Sequence, residues 1–101
     1  MLKLNCNNGS FEIDHIRESR NFSDGRKLKF VDITVSNQDI TMDEIEAILT
    51  EPVITGFEII NEKTGLVIGQ FEGYTLNNIS KDSHGSTINI VINFMKGNEN
   101  G

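Results

Sequence analysis

A chain of 101 residues with 37% hydrophobic and 24% charged residues has the size and composition of one globular domain. Its net charge of −6 argues against nucleic-acid binding as the main function, because such binding depends on clustered Lys and Arg. No apolar run reaches the ~18 residues of a membrane-spanning helix, and the N-terminus lacks a signal-peptide pattern. We therefore expect a cytoplasmic protein, or one that leaves the cell within a virion.

The first strands are indicated by short alternating segments and a turn signal. Residues 1–6 predict a short strand, and Asn7-Asn8-Gly9 predicts the turn after it, with Gly9 able to adopt positive φ. Apolar and polar residues then alternate from Phe11 to His15, which predicts a second strand.

The next segment is polar and is followed by a third strand. Phe22 is the only apolar residue between Arg17 and Arg26, which predicts the longest loop of the chain or a mobile hairpin tip. Residues 28–36 predict a strand whose apolar residues change parity. That change requires either a bulge or burial on both faces of the strand, and we expect a bulge near Phe30-Val31.

A single short helix is predicted over residues 42–50. Thr41 and Glu44 have the spacing of a capping box, in which each side chain bonds the other residue's backbone N–H. Ile45, Ile48 and Leu49 form one apolar stripe that needs a sheet to cover it. Pro52 disfavours helical structure at the residue before it and therefore limits the length of the helix.

The second half of the chain predicts further strands. Residues 53–60 are apolar at both parities, which favours a central strand, and residues 61–65 form a hairpin loop. A long strand follows over residues 66–74, where Gly69 and Gly73 predict bends or bulges.

The clearest strand lies near the C-terminus, after a predicted turn over residues 81–85. Apolar residues occupy every second position from Ile88 to Phe94, as in a strand with one face against a core. The predicted fold is α+β: mainly antiparallel β with about six strands, as a small sandwich or barrel-like sheet, and one short helix. Residues 1–96 form a single domain, and residues 97–101 form a disordered tail.

Sequence motifs for catalysis, cofactors or metals are absent. His15 and His84 have no metal-ligand spacing, and no phosphate-binding glycine loop or nucleophile motif occurs. Asp82-Ser83-His84 contains the residue types of a catalytic triad, but adjacent loop residues rarely reach triad geometry. Cys6 fits a small apolar strand residue. We therefore expect no enzyme, no catalytic or metal-binding residue and no cofactor.

Charge is distributed unevenly along the chain. Five of the nine basic residues lie between Arg17 and Lys29, and residues 39–51 contain five acidic residues and no basic one. The two segments are interpreted either as two solvated faces or as complementary surfaces for copies or a partner. The candidate partner contacts are Arg17, Arg20, Phe22, Arg26, Asp43, Glu46 and Tyr74. Gly73 next to Tyr74 would leave its ring accessible, so Tyr74 is interpreted either as a contact residue or as a tyrosine packed at the rim.

Residues 41–95 resemble small uncharacterised proteins of phages and prophages of low-GC Gram-positive bacteria. The resemblance rests on Thr41-Met42-Asp43-Glu44-Ile45, on the hairpin around Glu62-Lys63-Thr64-Gly65, and on Phe71-Glu72-Gly73-Tyr74-Thr75. It implies a virion, tail or prophage accessory context and transfers no catalytic residue.

Three functional hypotheses follow. The leading one is a non-enzymatic interaction protein, a phage or prophage structural or assembly component that binds protein partners or its own copies, without nucleic acid or membrane. The alternative is a small acidic binding or regulatory module, such as an inhibitor or nucleic-acid mimic acting through Asp43, Glu44, Glu46 and Glu51. The third is an enzyme whose pocket the sequence does not reveal.

Overall fold

Two four-stranded sheets and one helix make up the described chain, residues 1–23, 26–36, 39–85 and 87–97 of a computed structural model. In chain order the elements are β1 (Leu2–Cys6), β2 (Gly9–Ile13), β3 (His15–Ser23), β4 (Arg26–Val35), α1 (Met42–Thr50), β5 (Gly56–Asn61), β6 (Val67–Glu72), β7 (Thr75–His84) and β8 (Thr87–Gly97). The mostly antiparallel β structure with one short helix fits the predicted α+β class. The described chain has eight strands, however, and not about six.

The strands are arranged so that the chain moves between the two sheets three times. Sheet A has the order β2-β1-β5-β6 and sheet B the order β3-β4-β8-β7, with antiparallel pairing between neighbours. The chain crosses from A to B at Asp14 and again at Gly73-Tyr74, and it returns from B to A through α1. Strands β2, β6, β3 and β7 are therefore the four edges.

The core lies between the inner faces of the sheets and is closed by the helix. In sheet B, β4 and β8 pair so that Val31 lies opposite Phe94 and Ile33 opposite Ile92, and all four side chains are fully buried. Phe94 contacts Phe57 of sheet A at a ring-centroid distance of 4.4 Å. The described core contains no buried polar or charged residue, so packing of apolar side chains holds the sheets together.

Helix α1 begins and ends where the sequence predicts. The Glu44 N–H donates to Thr41 Oγ1 over 3.1 Å, and the Thr41 N–H donates to Glu44 Oε1 over 3.3 Å, which completes the capping box. Ile45 and Leu49 are fully buried, and the helix packs against β2 and β7.

The loop predicted between Arg17 and Arg26 is wrong for most of its length, because residues 17–23 belong to β3. This strand pairs with β4 without interruption from His15 opposite Thr34 to Ser23 opposite Arg26. An edge strand that runs past the core can be polar, which is why apolar periodicity did not reveal it. Residues 24–25 lie outside the described part.

The bulge predicted near Phe30-Val31 is also wrong. The pairings of β4 with β3 and with β8 continue through both residues without a register shift. Phe30 points to the outer face of sheet B, where it is half-buried, so both faces of this central strand carry apolar residues. Register shifts occur instead between Ile59 and Ile60 of β5 and between Leu76 and Asn78 of β7.

Three predicted boundaries in the second half also differ. The strand expected over residues 53–60 begins at Gly56, and the one expected over residues 66–74 ends at Glu72, where Gly73 turns the chain with φ +79°. The turn expected over residues 81–85 is shorter, because β7 continues to His84. Of the tail predicted over residues 97–101, Gly97 is the last residue of β8 and lies opposite Leu28, and residues 98–101 lie outside the described part.

The corner between the sheets predicts a stability effect at Gly73. Gly73→Ala should lower the free energy of unfolding by about 1–2 kcal/mol, because a left-handed conformation strains a residue with a Cβ. Gly65→Ala is the comparison: Gly65 has a similar φ of +73° and nothing within 4 Å of an added Cβ, so it should show the conformational loss alone, whereas an added Cβ at Gly73 also lies 3.2 Å from Lys96 Cε and the loss there should be at least as large. Urea unfolding measures both, and unchanged stability of Gly73→Ala would contradict the corner geometry.

The capping box predicts an effect on the free energy of unfolding as well. Thr41→Ala should lower the free energy of unfolding by about 1 kcal/mol, because the Glu44 N–H loses its acceptor. Thr41→Ser keeps the hydroxyl and should retain most of that stability. Thermal unfolding of the three proteins tests this, and equal losses for Ala and Ser would exclude the cap as the cause.

Candidate functional site

A row of three basic side chains crosses sheet B beyond the end of the core. Arg20 of β3 lies opposite Lys29 of β4, which lies opposite Lys96 of β8. The alternation of side chains that buries Val31 and Phe94 places these three basic residues on the same, inner face of the sheet. We call Arg20, Lys29 and Lys96 the basic row. Within the described chain, none of the three forms an ion pair with an acidic side chain.

Tyr74 connects the basic row with the core. Its ring is 6% exposed and packs edge-on against Phe71, with 5.6 Å between the ring centroids, so the prediction of an accessible ring is wrong and the alternative, a packed tyrosine, agrees with the structure. Lys96 Nζ lies 5.9 Å from the centroid of the Tyr74 ring, within cation–π distance. A groove of about 400 Å³ is lined by Glu18, Ser19, Arg20, Lys29 and Tyr74.

The environment of Tyr74 disfavours its phenolate. Burial raises the pKa of the Tyr74 hydroxyl above its ordinary value, and the Glu18 carboxylate raises it further. The Arg20 guanidinium opposes both by lowering this pKa. The phenol therefore stays neutral at physiological pH, and the charge of the groove comes from its ionic side chains.

Arg17 lies apart from the basic row, on the outer face of sheet B. Its Nη2 atom is 3.6 Å from Asp32 Oδ2, and Asn93 Nδ2 donates to Asp32 Oδ1 over 2.6 Å. Asn77 Nδ2 donates to Asn93 Oδ1 over 2.8 Å, which extends the polar contacts across all four strands. The Arg17 side chain is 81% exposed, so its ion pair contributes no more than about 1 kcal/mol.

The acidic candidates lie on α1 and at its C-terminal end, where Glu51 is the C-cap residue. Asp43, Glu46 and Glu51 are exposed, whereas Glu44 is engaged in the capping box. The last turn of α1 contains no basic residue. Because α1 packs against β7 and β3 forms the opposite edge of sheet B, the structure does not bring the acidic and basic candidates together within one chain.

Apolar side chains are exposed along edge strand β6 and the loop before it. Leu66, Val67 and Ile68 are 64%, 46% and 54% exposed, and β6 contains no Lys, Arg or Pro. A shallow groove lined by Ile16, Glu18, Ile59, Ile68, Gly69 and Phe71 lies beside β6. Phe22, near the end of β3, is 73% exposed.

Arg26 and an open depression around Cys6 are the remaining features of the described chain to be placed. Arg26 begins β4, but its side chain lies outside the described part. An open depression of about 660 Å³ includes Cys6 and Glu58, yet the Cys6 thiol donates to the carbonyl oxygen of Gly9 over 3.4 Å, and Glu58 Oε1 accepts from Asn5 Nδ2 over 3.0 Å.

The described residues contain neither a metal-binding group of side chains nor a membrane-spanning helix. No group of three or more His, Cys, Asp or Glu side chains there could hold a metal ion. Nor does the described chain contain a helix with the length and apolar character needed to cross a membrane.

Sequence reasoning missed two members of the basic row. Lys29 was noted only as part of a basic segment, and Lys96 was not singled out at all. The strand register alone places them opposite each other, so the sequence carries no local signal for the pair. Comparisons with protein families, curated proteins and solved structures found no match to this chain.

The groove predicts a raised pKa for Tyr74, the single tyrosine of the chain. Absorbance of Tyr74 near 295 nm should show a midpoint above its ordinary value of 10.0. Glu18→Gln should lower this pKa, and Arg20→Gln should raise it, because each change removes one of the opposing charges. Because the folded pKa is the higher one, the contribution of neutral Tyr74 to stability is complete below pH 10.0 and is lost as pH rises through the folded pKa. An unshifted midpoint would contradict the burial of Tyr74.

Proposed function

We propose that this chain is a non-enzymatic interaction protein that assembles with copies of itself, as a small phage or prophage structural or assembly component. The observation that carries the self-assembly is the exposed apolar edge strand β6. The phage or prophage context rests on the resemblance of residues 41–95 alone.

Strand β6 has the chemistry of a strand that pairs with another chain. An edge strand presents unpaired N–H and C=O groups, and proteins usually protect such edges with charged residues, proline or a covering segment. β6 lacks basic residues and proline, its one charged residue, Glu72, is the last of the strand, and Val67 and Ile68 are about half exposed. Addition of a strand would satisfy the backbone groups and cover these side chains together.

A second copy of β6 is the simplest partner. Two copies can pair antiparallel about a twofold axis, so one surface supplies both sides of the contact. The pairing would extend sheet A from four strands to eight across the interface. Val67 and Ile68 of both copies would then lose exposed apolar surface, which favours association.

The exposed carboxylates of α1 favour the second candidate, an acidic binding or regulatory module. Asp43, Glu46 and Glu51 face solvent and have no described ionic partner within the chain. A monomeric protein that binds a basic host protein through these residues would support this alternative over self-assembly.

Light scattering after gel filtration tests the β6 contact. At 1 M salt, where the Debye length is about 3 Å and ionic contacts are screened, the wild type should have twice the 11.3 kDa mass of one chain. Val67→Lys should be a monomer, because a lysine there replaces apolar surface that the contact would bury and places a charge on the exposed edge, as proteins do to prevent edge pairing. Ile88→Lys is the control, since Ile88 is 51% exposed but lies on a central strand. A monomeric wild type would overturn the proposal.

A further inference from the structure

We propose that the basic row of one copy binds the acidic face of α1 in a second copy. This inference rests on the proposed self-assembly and adds a separate contact to it. The acidic face consists of the exposed residues Asp43, Glu46 and Glu51.

The two surfaces have similar lengths and opposite charge. Neighbouring strands lie about 4.8 Å apart, so the three basic side chains start from a line of about 10 Å. A helix rises about 1.5 Å per residue, which separates Asp43 and Glu51 by about 12 Å along the axis, with Glu46 between them. Three cations can therefore face three carboxylates in one contact.

The basic row is unfavourable in an isolated copy. Like charges directly opposite each other on neighbouring strands are destabilising, and this rung has two such contacts, Arg20 with Lys29 and Lys29 with Lys96. The nearest acidic residue that lines the groove is Glu18. Carboxylates supplied from outside would reduce this repulsion.

The acidic face is unfavourable for a different reason. The C-terminal end of a helix carries partial negative charge and favours cations, but the C-cap residue Glu51 lies at that end of α1 and no basic residue occupies the last turn. Glu46 lies in the middle of the helix and Asp43 in its first turn, so the unfavourable arrangement is at Glu51. Cations from the basic row of a second copy would offset both the helix dipole and the carboxylates. One contact thus relieves two unfavourable charge arrangements.

The charge of the whole chain favours this occupant over a nucleic acid. A net charge of −6 repels an extended polyanion, whose binding needs many basic contacts along its backbone. A second copy carries the same net charge of −6, but it presents its carboxylates on one short helix and its C-cap residue, so a single local contact with the basic row is enough. The contact is also heterologous, because the two surfaces differ, so it links copies head to tail into rings or filaments.

Complementary charge reversal tests the contact at about 0.01 M ionic strength, where the Debye length is about 30 Å. One variant carries Arg20→Glu with Lys29→Glu, and the other carries Glu46→Lys with Glu51→Lys. Each alone should associate head to tail about tenfold more weakly than the wild type, because its two surfaces have the same charge. An equimolar mixture should regain association, since every contact between the two variants is complementary. Light scattering measures the masses.

The controls separate this contact from the β6 contact and from misfolding. Glu12→Lys with Glu62→Lys changes the net charge equally outside the acidic face and should associate like the wild type. If the double change at Arg20 and Lys29 removes the fold, seen as lost Tyr74 burial, the exposed Arg20→Glu alone replaces it. Because Lys29 and Lys96 stay positive, this variant should associate more weakly than the wild type without reversing the charge of the row, and unchanged association would contradict the contact.

The outcomes distinguish the two proposals. A wild type that forms β6 dimers at 1 M salt but has no larger mass at low salt would overturn the head-to-tail contact. It would leave the proposed function intact. A mixture that fails to regain association also overturns it. Binding of a labelled single-stranded oligonucleotide that depends on the basic row, without self-association, would assign the row to nucleic acid instead.

Discussion

The antiparallel pairing of β4 with β8 is the interaction on which the rest of the structure depends. It continues without a register shift from Leu28 opposite Gly97 to Val35 opposite Ile90. On the inner face it brings together the fully buried side chains of Val31 and Phe94, against which the aromatic residues of sheet A pack. A shift of one residue would turn these side chains to the outer face and remove the core.

The same ladder creates the basic row outside the core. Two residues beyond the Val31–Phe94 pair, the inner face carries Lys29 opposite Lys96, and β3 adds Arg20 at the same level. Tyr74 marks the boundary, because its ring packs with Phe71 and its surroundings include Glu18 and Arg20. The charges are thus held in place by the pairing that forms the core.

The surface offers two kinds of contact that differ in symmetry. An edge strand that pairs with its own copy forms a closed twofold contact, whereas a basic row that binds an acidic helix repeats from copy to copy. A protein with both contacts could form dimers that join into larger assemblies, and salt would weaken only the ionic one. This combination is consistent with the structural role that we propose.

Elements with strong local signals were predictable from the sequence. The capping box set the start of α1 and Pro52 followed its end, so its bounds agree with the prediction. Alternation of apolar residues identified β8, because three inner positions from Ile90 to Phe94 are buried. Strand β3 escaped prediction because a polar edge strand depends on its pairing with β4 and carries little apolar periodicity.

The sequence by itself determined the single helix, the strand-rich class and the unequal distribution of charge, because these follow from residue types and their local spacing. Only the tertiary structure decided which strands lie at edges, that Tyr74 is buried, and that Arg20, Lys29 and Lys96 share one rung. Register between strands distant in sequence determines all three. That register is selected by burial of the whole inner face, which no local segment encodes.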